Sequence, residues 1–283
     1  MAQHKLDMGK AWMQATGLMS ANRDTISAIA GLFFFLPSMA SALFVPELAN
    51  PPQPAAPAGA NPELVMQAMI DQVAAIYAAN WPILLGLIAV QFIGSMSLFA
   101  LLTDRGNPTV SEALGTGIRS MPSYIAAQLA SVLLASLAIG IPLGVISALG
   151  GPAVAALAAL VAFGLIAYVL IKLSLVAPVI AIEGERNPFT AVGRSWQLTK
   201  GNSLRIFAFI ALLVVVVGII SVLVSGVLGL VLAALGDTVA TIGGGLVSAL
   251  VNAVLTVVFL VVTVAIYRQM VGATPERTAE IFD

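Results

Sequence analysis

ERNPFTAVGRSWQLTKGN, residues 185–202, is the longest polar interruption in the second half of a very apolar chain. Hydrophobic residues make up 60% of the 283 residues and charged residues only 9%, with a mean hydropathy of +1.04. Such a composition is typical of a membrane protein with several spans rather than of a soluble domain. In that setting a short segment with Arg186, Arg194 and Lys200, followed by Arg205, predicts a cytoplasmic connection between two spans.

The spans themselves can be located by length and hydropathy. A bilayer core about 30 Å thick needs about 20 apolar residues of helix. Six segments meet this requirement: 26–45, 81–103, 123–149, 154–182, 204–235 and 242–267. Continuous apolar runs favour helices over barrel strands, which alternate with a period of two. We therefore predict an all-α integral membrane protein with six transmembrane helices, forming one membrane domain over residues 1–283.

The positive charges predict its orientation. Of the 12 Lys and Arg residues, all but Lys172 lie at the termini, in the second and fourth connections between spans or, for Arg205, directly next to the fourth connection. The other connections, 46–80, 150–153 and 236–241, contain none. Because cytoplasmic segments are enriched in Lys and Arg, both termini are expected to be cytoplasmic, in a bacterial inner membrane. The alternative for the first span is a cleaved signal peptide, since Ala40-Ser41-Ala42 follows an apolar run; the long polar region before that run argues against it.

An internal repeat underlies the layout. Gly9-Lys10-Ala11-Trp12 resembles Gly193-Arg194-Ser195-Trp196, and each tetrapeptide lies shortly before a membrane segment. Between them, Asn107-Pro108 followed by Ala113-Leu114-Gly115 echoes Asn187-Pro188 followed by Ala191-Val192-Gly193. We interpret this as three units, each an interfacial elbow helix followed by a membrane hairpin, over about 5–103, 107–182 and 187–268.

The elbow helices have an apolar face and a cationic face at 3.6 residues per turn. In the third, Asn187 is placed to cap a helix that starts at Pro188. Such helices lie at the headgroup boundary with their cations toward anionic lipid. The residues expected at this boundary are Trp12, Trp196, Arg194, Lys200 and Arg205. We expect simple elbows that pack under the bundle, with lipid sensing or partner docking as the alternative.

The first outer connection, residues 46–80, is the only long one. Its proline-rich part predicts an extended spacer. Asn61 and Pro62 then begin a helix that we expect to lie on the outer membrane surface until Asn80-Trp81 turns the chain inward. An ordinary connector is expected, with docking of another protein as the alternative.

Few residues within the predicted spans could bind a ligand or take part in a reaction. The chain has no Cys, and its one His, His4, lies near the N-terminus, so no disulfide, metal site or cofactor is expected. The polar residues within the predicted spans are candidate ligand or lipid contacts: Lys172, Tyr168, Gln91, Gln128 and Asn252. Lys172 has no acidic residue at comparable depth. It is expected to snorkel toward the interface, with contact to a lipid phosphate or an anionic substrate as the alternative.

Small residues recur at four-residue steps in two spans. They are Ser136, Gly140, Gly144 and Ala148 in the third span, and Ser221, Ser225 and Gly229 in the fifth. Spacing of this kind predicts faces on which another helix packs closely. Pro142 and Pro178 predict kinks in their helices.

A family resemblance rests on residues 178–207. Pro178 and Glu183 close one span, and an elbow follows whose matching residues are Ala191, Arg194, Ser195, Trp196, Leu198, Thr199, Gly201 and Asn202. This pattern resembles the membrane domain of the glycerophosphoryl diester phosphodiesterase family and related multi-spanning bacterial proteins. The resemblance implies an integral membrane module. Some relatives have a separate catalytic barrel, but the predicted cytoplasmic segments here are too short for an enzyme domain.

We therefore predict a non-enzymatic membrane protein, either a lipid-associated organiser or an accessory subunit of a membrane assembly. The alternative is a small-molecule or lipid transporter that uses the polar face around Lys172, and an intramembrane enzyme is a more distant one. The expected partners are membrane lipids, with anionic headgroups at the cytoplasmic face, and another membrane protein or a second copy of the chain. Nucleic acid is not an expected partner.

Overall fold

The computed structural model describes residues 5–49, 61–102 and 109–272. Within these ranges all regular elements are helical. Six helical runs are long and apolar enough to cross a membrane: Arg23–Phe44, Leu64–Leu101, Val110–Leu149, Gly151–Glu183, Ser203–Ala234 and Thr238–Val271. The prediction of a multi-pass, all-α membrane protein with six spans is confirmed.

The helices are numbered in chain order, and the three wide turns with π-helical geometry are named π1 to π3. The first half contains α1 (Met8–Ala21), α2 (Arg23–Ala30), π1 (Gly31–Phe35), α3 (Leu36–Phe44), α4 (Pro46–Ala49), α5 (Pro62–Leu101), α6 (Val110–Ala135) and π2 (Ser136–Gly140). The second half contains α7 (Ile141–Leu149), α8 (Gly151–Leu173), α9 (Val176–Pro178), π3 (Val179–Glu183), α10 (Pro188–Leu198), α11 (Ser203–Ala234) and α12 (Asp237–Val271).

Each π turn lies beside a proline. π1 ends two residues before Pro37, π2 ends two residues before Pro142, and π3 begins directly after Pro178. Proline has no N–H, so a carbonyl one turn earlier loses its helical donor, and a wider turn shifts the hydrogen-bond register around that gap. Pro142 and Pro178, where kinks were predicted, each lie beside one of these wide turns.

Two of the predicted elbows are separate short helices. α1 ends at Ala21, where the Asn22 side-chain amide donates to the Leu18 carbonyl at 3.0 Å. α10 begins as predicted, because the Asn187 side chain accepts from the N–H of Phe189 at 3.0 Å. The C-terminal end of α1 and the N-terminal end of α10 are therefore each capped by an asparagine side chain directly next to the helix.

The second elbow differs from the prediction, because it is not a separate helix. α6 runs without interruption from Val110 to Ala135, through Pro122. It starts at a capping box in which Thr109 and Glu112 each accept a hydrogen bond from the other's backbone N–H. Asn107 and Pro108, on which this elbow was partly predicted, lie outside the described residues.

The outer connection also differs from the prediction. α5 is a single 40-residue helix that continues through Asn80 and Trp81, so the chain does not turn inward there. The Asn80 side chain donates to the Ile76 carbonyl at 3.0 Å, an arrangement compatible with a continuing helix. The one proline inside α5, Pro82, does not end it. Residues 50–60, most of the proline-rich spacer, lie outside the described residues.

The contacts divide the chain into two compact units. Unit 1 comprises the described parts of Met1–Arg23, Ser95–Val216 and Val258–Asp283. It contains α1, α6 to α10 and the neighbouring parts of α5, α11 and α12. Its core consists of fully buried aliphatic side chains, among them Leu98, Leu102, Leu175, Val179, Ile206 and Ile266.

Unit 2 comprises the described parts of Asp24–Gly94 and Val217–Val257. The backbone is closely approached at Gly94, where an added Cβ would lie 2.3 Å from the Cβ of Phe33. Only glycine allows this approach, which brings α5 against π1. The Asn252 side chain donates to the Ser38 hydroxyl at 2.8 Å, so a predicted membrane-embedded polar residue has a polar partner within this unit.

Candidate functional site

Ser195 joins α10 to the end of α8 in unit 1. Its side chain is fully buried, and its hydroxyl donates to the Lys172 carbonyl at 2.7 Å and accepts from the Leu175 N–H at 3.2 Å. Both backbone groups lie where α8 ends, so they have lost the partners that a continuing helix would supply. A hydroxyl can donate and accept at once, so this one side chain replaces both missing partners.

The side chain of Lys172 lies in an aromatic box, by which we mean the rings of Tyr168 and Trp196. Lys172 is only 3% exposed, and its Nζ lies 5.4 Å from the centre of each ring. The two rings meet edge to face at 5.9 Å and 87°. Each ring attracts the ammonium by about 0.5–2 kcal/mol. Lys172 also lies in the last turn of α8, where the helix dipole favours a cation.

The charges around the aromatic box are positive. Among the described residues no carboxylate pairs with Lys172, and the elbow that carries Trp196 also carries a second cation, exposed Lys200. Glu183, which closes the preceding span, instead pairs with Arg194 at 3.3 Å and accepts from the Tyr267 hydroxyl at 2.9 Å. The box therefore has excess positive charge.

The remaining elbow residues hold α10 and the start of α11 in place. Ala191 and Thr199 are fully buried on the same face as Ser195. Gly201 has a φ of 77°, in the left-handed region that favours glycine, and lets the chain turn between the two helices. Asn202 is almost fully buried, and its side chain accepts from the Leu6 N–H at 3.0 Å. These contacts give a structural reason for the residue types in the elbow pattern.

The segment before α1 is fixed against this elbow. Leu6 is buried, its N–H is bound by Asn202, and its carbonyl accepts from Arg205 at 3.5 Å. Next to it, Asp7 exchanges hydrogen bonds with the side-chain amide of Gln269 near the end of α12. Arg205, which was predicted as an interfacial cation, thus also binds the backbone, whereas Lys200 is exposed.

A cavity of about 680 Å³ lies between α6, π2 and α7 on one side and α8 on the other. Its wall is mostly aliphatic, and its polar members are Tyr124, Gln128, Ser131, Ser136, Ser147 and Ser174. The Gln128 amide donates to the Tyr124 hydroxyl at 3.3 Å. Two of the serines, Ser131 and Ser174, bind carbonyls of their own helices.

This cavity corrects the prediction for the small residues of the third span. Gly140 and Gly144 line the cavity, and a Cβ added to either would meet nothing within 4 Å. Gly229 on α11 also faces open space. Small residues at this spacing permit close helix contact but do not require it. Within the described part of this chain, three of the four in the third span, Ser136, Gly140 and Gly144, line a cavity instead.

The structure does not gather the five predicted polar residues into one site. Lys172 and Tyr168 form part of the aromatic box, while Gln128 lines the cavity. Gln91, which has a polar interaction, and Asn252 belong to unit 2. Trp196 was predicted only as an interfacial anchor; its contact with Lys172 crosses 24 positions of sequence, and no local pattern predicts it.

Comparison with known proteins gives one match. A family model described as the membrane domain of glycerophosphoryl diester phosphodiesterase matches residues 127–273, slightly more than half of the chain. The matched range includes α8, α10, the aromatic box and most of the cavity wall. No curated protein and no solved structure matches the chain.

Proposed function

The chain belongs to the family of the membrane domain of glycerophosphoryl diester phosphodiesterase, and from this we propose that it is a non-enzymatic, lipid-associated membrane protein. The observation behind the proposal is the cavity between α6–α7 and α8. Its volume of about 680 Å³ lies within the range of about 300–1,000 Å³ typical of small-molecule sites. We propose that a membrane lipid occupies it.

The distribution of polar groups in the cavity supports an amphipathic occupant. Ser131 and Ser174 already bind carbonyls of their own helices, so they offer little polarity to a ligand. Tyr124 and Gln128 lie on α6, far along the chain from the Gly150 turn that joins α7 to α8, whereas Gly144 and Ser147 come just before that turn. A wall that is apolar over most of its length, with one amide–hydroxyl pair toward one end, suits an acyl chain with a polar terminus.

The transport hypothesis receives less support from this geometry. Tyr168 and Lys172 share one face of α8, whereas the cavity residues Leu170 and Ser174 are each two positions further along. At about 100° per residue, however, the lining residues Val169 and Leu173 lie only about 60° and 100° around the helix from Lys172, so the cavity adjoins the face that carries Lys172. Neither Tyr168 nor Lys172 lines the cavity itself. The cavity therefore gives no support to a transport path around Lys172, and we favour the lipid-associated role.

We also propose the three-unit organisation and a cytoplasmic location for both termini. Aligned positions in the elbows have similar burial: Ala11, Gly117 and Ser195 are buried, while Trp12 and Trp196 are 42% and 41% exposed. A small residue toward the protein and an indole outward is the arrangement expected of an interfacial helix. The one-sided distribution of Lys and Arg supports the orientation.

The lipid proposal can be tested by filling the cavity. In Gly144→Leu the new side chain has room at its Cβ and enters the cavity, so the fold should persist while the volume for a lipid falls. Gly229→Leu is the matched control, because it adds the same side chain in open space outside the cavity. Native mass spectrometry of protein extracted in mild detergent should show bound lipid in wild type and Gly229→Leu and severalfold less in Gly144→Leu. Equal lipid occupancy in all three would contradict the proposal.

A further inference from the structure

The aromatic box holds three polar groups without a protein acceptor. Among the described residues, the Lys172 ammonium, the Trp196 indole N–H and the Tyr168 hydroxyl form no hydrogen bond with the protein. Lys172 as a residue is 3% exposed, whereas Tyr168 and Trp196 are 47% and 41% exposed. No buried side-chain nitrogen or oxygen of the described residues lacks a hydrogen-bond partner, so the Lys172 ammonium reaches the protein surface. Its three N–H donors are therefore available there to the oxygen atoms of a ligand.

The free-energy cost of burying the Lys172 charge also favours an anionic ligand in the aromatic box. A buried charge costs free energy unless it is paired and hydrogen-bonded. The two rings offset part of that cost, but no carboxylate of the described residues pairs with Lys172, and Glu183 is paired with Arg194. An anion beside the Lys172 ammonium would neutralise its charge and supply oxygen atoms to its N–H donors.

We propose that the aromatic box is a binding site for a phosphate group. A phosphate has several oxygens, so it can accept from the Lys172 ammonium and the Trp196 indole together, and lysine binds phosphate as a point charge. Exposed Lys200 on the same elbow adds a second positive charge. The phosphate belongs either to an anionic lipid headgroup or to a soluble phosphate compound. Lys172, Tyr168 and Trp196 do not line the cavity, so the site stands independently of the lipid proposed there.

The fluorescence of Trp196 can report on this site. The chain has three tryptophans, so Trp12→Phe together with Trp81→Phe leaves Trp196 as the only one. This protein, in a non-ionic detergent, is titrated with inorganic phosphate and, separately, with dihexanoyl phosphatidylglycerol. A saturable change in fluorescence and a rise in Tm are expected with at least one probe. A response to the lipid alone assigns the phosphate to a headgroup, and a response to inorganic phosphate shows that a free anion suffices.

Lys172→Met in the same background should weaken the response about tenfold or more, because hydrogen bonds to charged groups are the stronger class. Lys10→Met is the matched control, since it removes an exposed cation from the other separate elbow helix, and it should leave binding unchanged. The proposal is overturned if neither probe gives a saturable response, or if Lys172→Met binds as tightly as the control.

A second pair of changes covers the case in which Lys172→Met does not fold. Tyr168→Phe and Trp196→Phe together keep Lys172 and two aromatic rings but remove the hydroxyl and the indole N–H. The phosphate-induced rise in Tm should fall in this variant, and an undiminished rise would overturn the proposed donors. Gly144→Leu should retain the Lys172-dependent response, so failure of the lipid proposal and failure of this one can be told apart.

Discussion

Ser195→Ala should destabilise the protein more than the loss of a single oxygen atom suggests. The change removes one oxygen atom but breaks two buried hydrogen bonds, one to the Lys172 carbonyl and one from the Leu175 N–H. A buried backbone group left unsatisfied costs about 1–3 kcal/mol, so two set a range of about 2–6 kcal/mol. Relaxation where α8 ends recovers part of this, and we expect about 2–3 kcal/mol.

The assay is unfolding by titration of sodium dodecyl sulfate into mixed micelles, followed by tryptophan fluorescence. Ser131→Ala is the matched control, because Ser131 is also buried, at 5% exposure, but its hydroxyl binds only the Ala127 carbonyl one turn earlier in its own helix. That carbonyl keeps its backbone donor, so the control should cost less than about 1 kcal/mol. If Ser195→Ala costs no more than Ser131→Ala, Ser195 does not hold α10 against α8 as described.

Two further predictions follow from the elbow and the orientation. Glu183→Gln keeps an acceptor for the Tyr267 hydroxyl and loses only a partly exposed ion pair with Arg194, so it should lower the free energy of unfolding by less than about 1 kcal/mol. Glu183→Leu removes the acceptor as well and should lower that free energy by about 1–3 kcal/mol in the same titration. Equal costs would argue against the acceptor role. The chain has no cysteine, so a membrane-impermeant maleimide should label Thr238→Cys in intact spheroplasts and Gln197→Cys, also exposed, only after permeabilisation. Labelling of Gln197→Cys in intact spheroplasts would reverse the orientation.

The elbow sequence predicted local features but not their tertiary roles. Asn187 was predicted as a helix cap and is one, because a cap depends only on residues two or three positions away. Ser195 and Asn202 were recognised as parts of a pattern, without a function for either. Their partners, Lys172 and Leu6, are far away in sequence, and no periodicity or motif connects them.

Helix ends were predicted less well than helix interiors. The boundary at Asn80 and Trp81 was expected because residues of this kind often mark the membrane interface, yet α5 continues through both. A polar residue does not end a helix when its side chain binds a carbonyl one turn earlier, as Asn80 does. Similarly, the start predicted for the third span, residue 123, lies inside α6 and not at a helix end.

The sequence by itself determined the class of the protein and its six spans. Transfer of a side chain into lipid is a property of that residue, so hydropathy summed over about 20 positions identifies a span without knowledge of its neighbours. Tertiary structure alone decided that Lys172 lies between Tyr168 and Trp196, and that Gly144 lines a cavity instead of a helix contact. These outcomes depend on which helices meet and at what level, and in a membrane the apolar surface of nearly every helix is equally compatible with lipid. Hydropathy therefore places each helix in the bilayer, but specific hydrogen bonds and ring contacts select its neighbours.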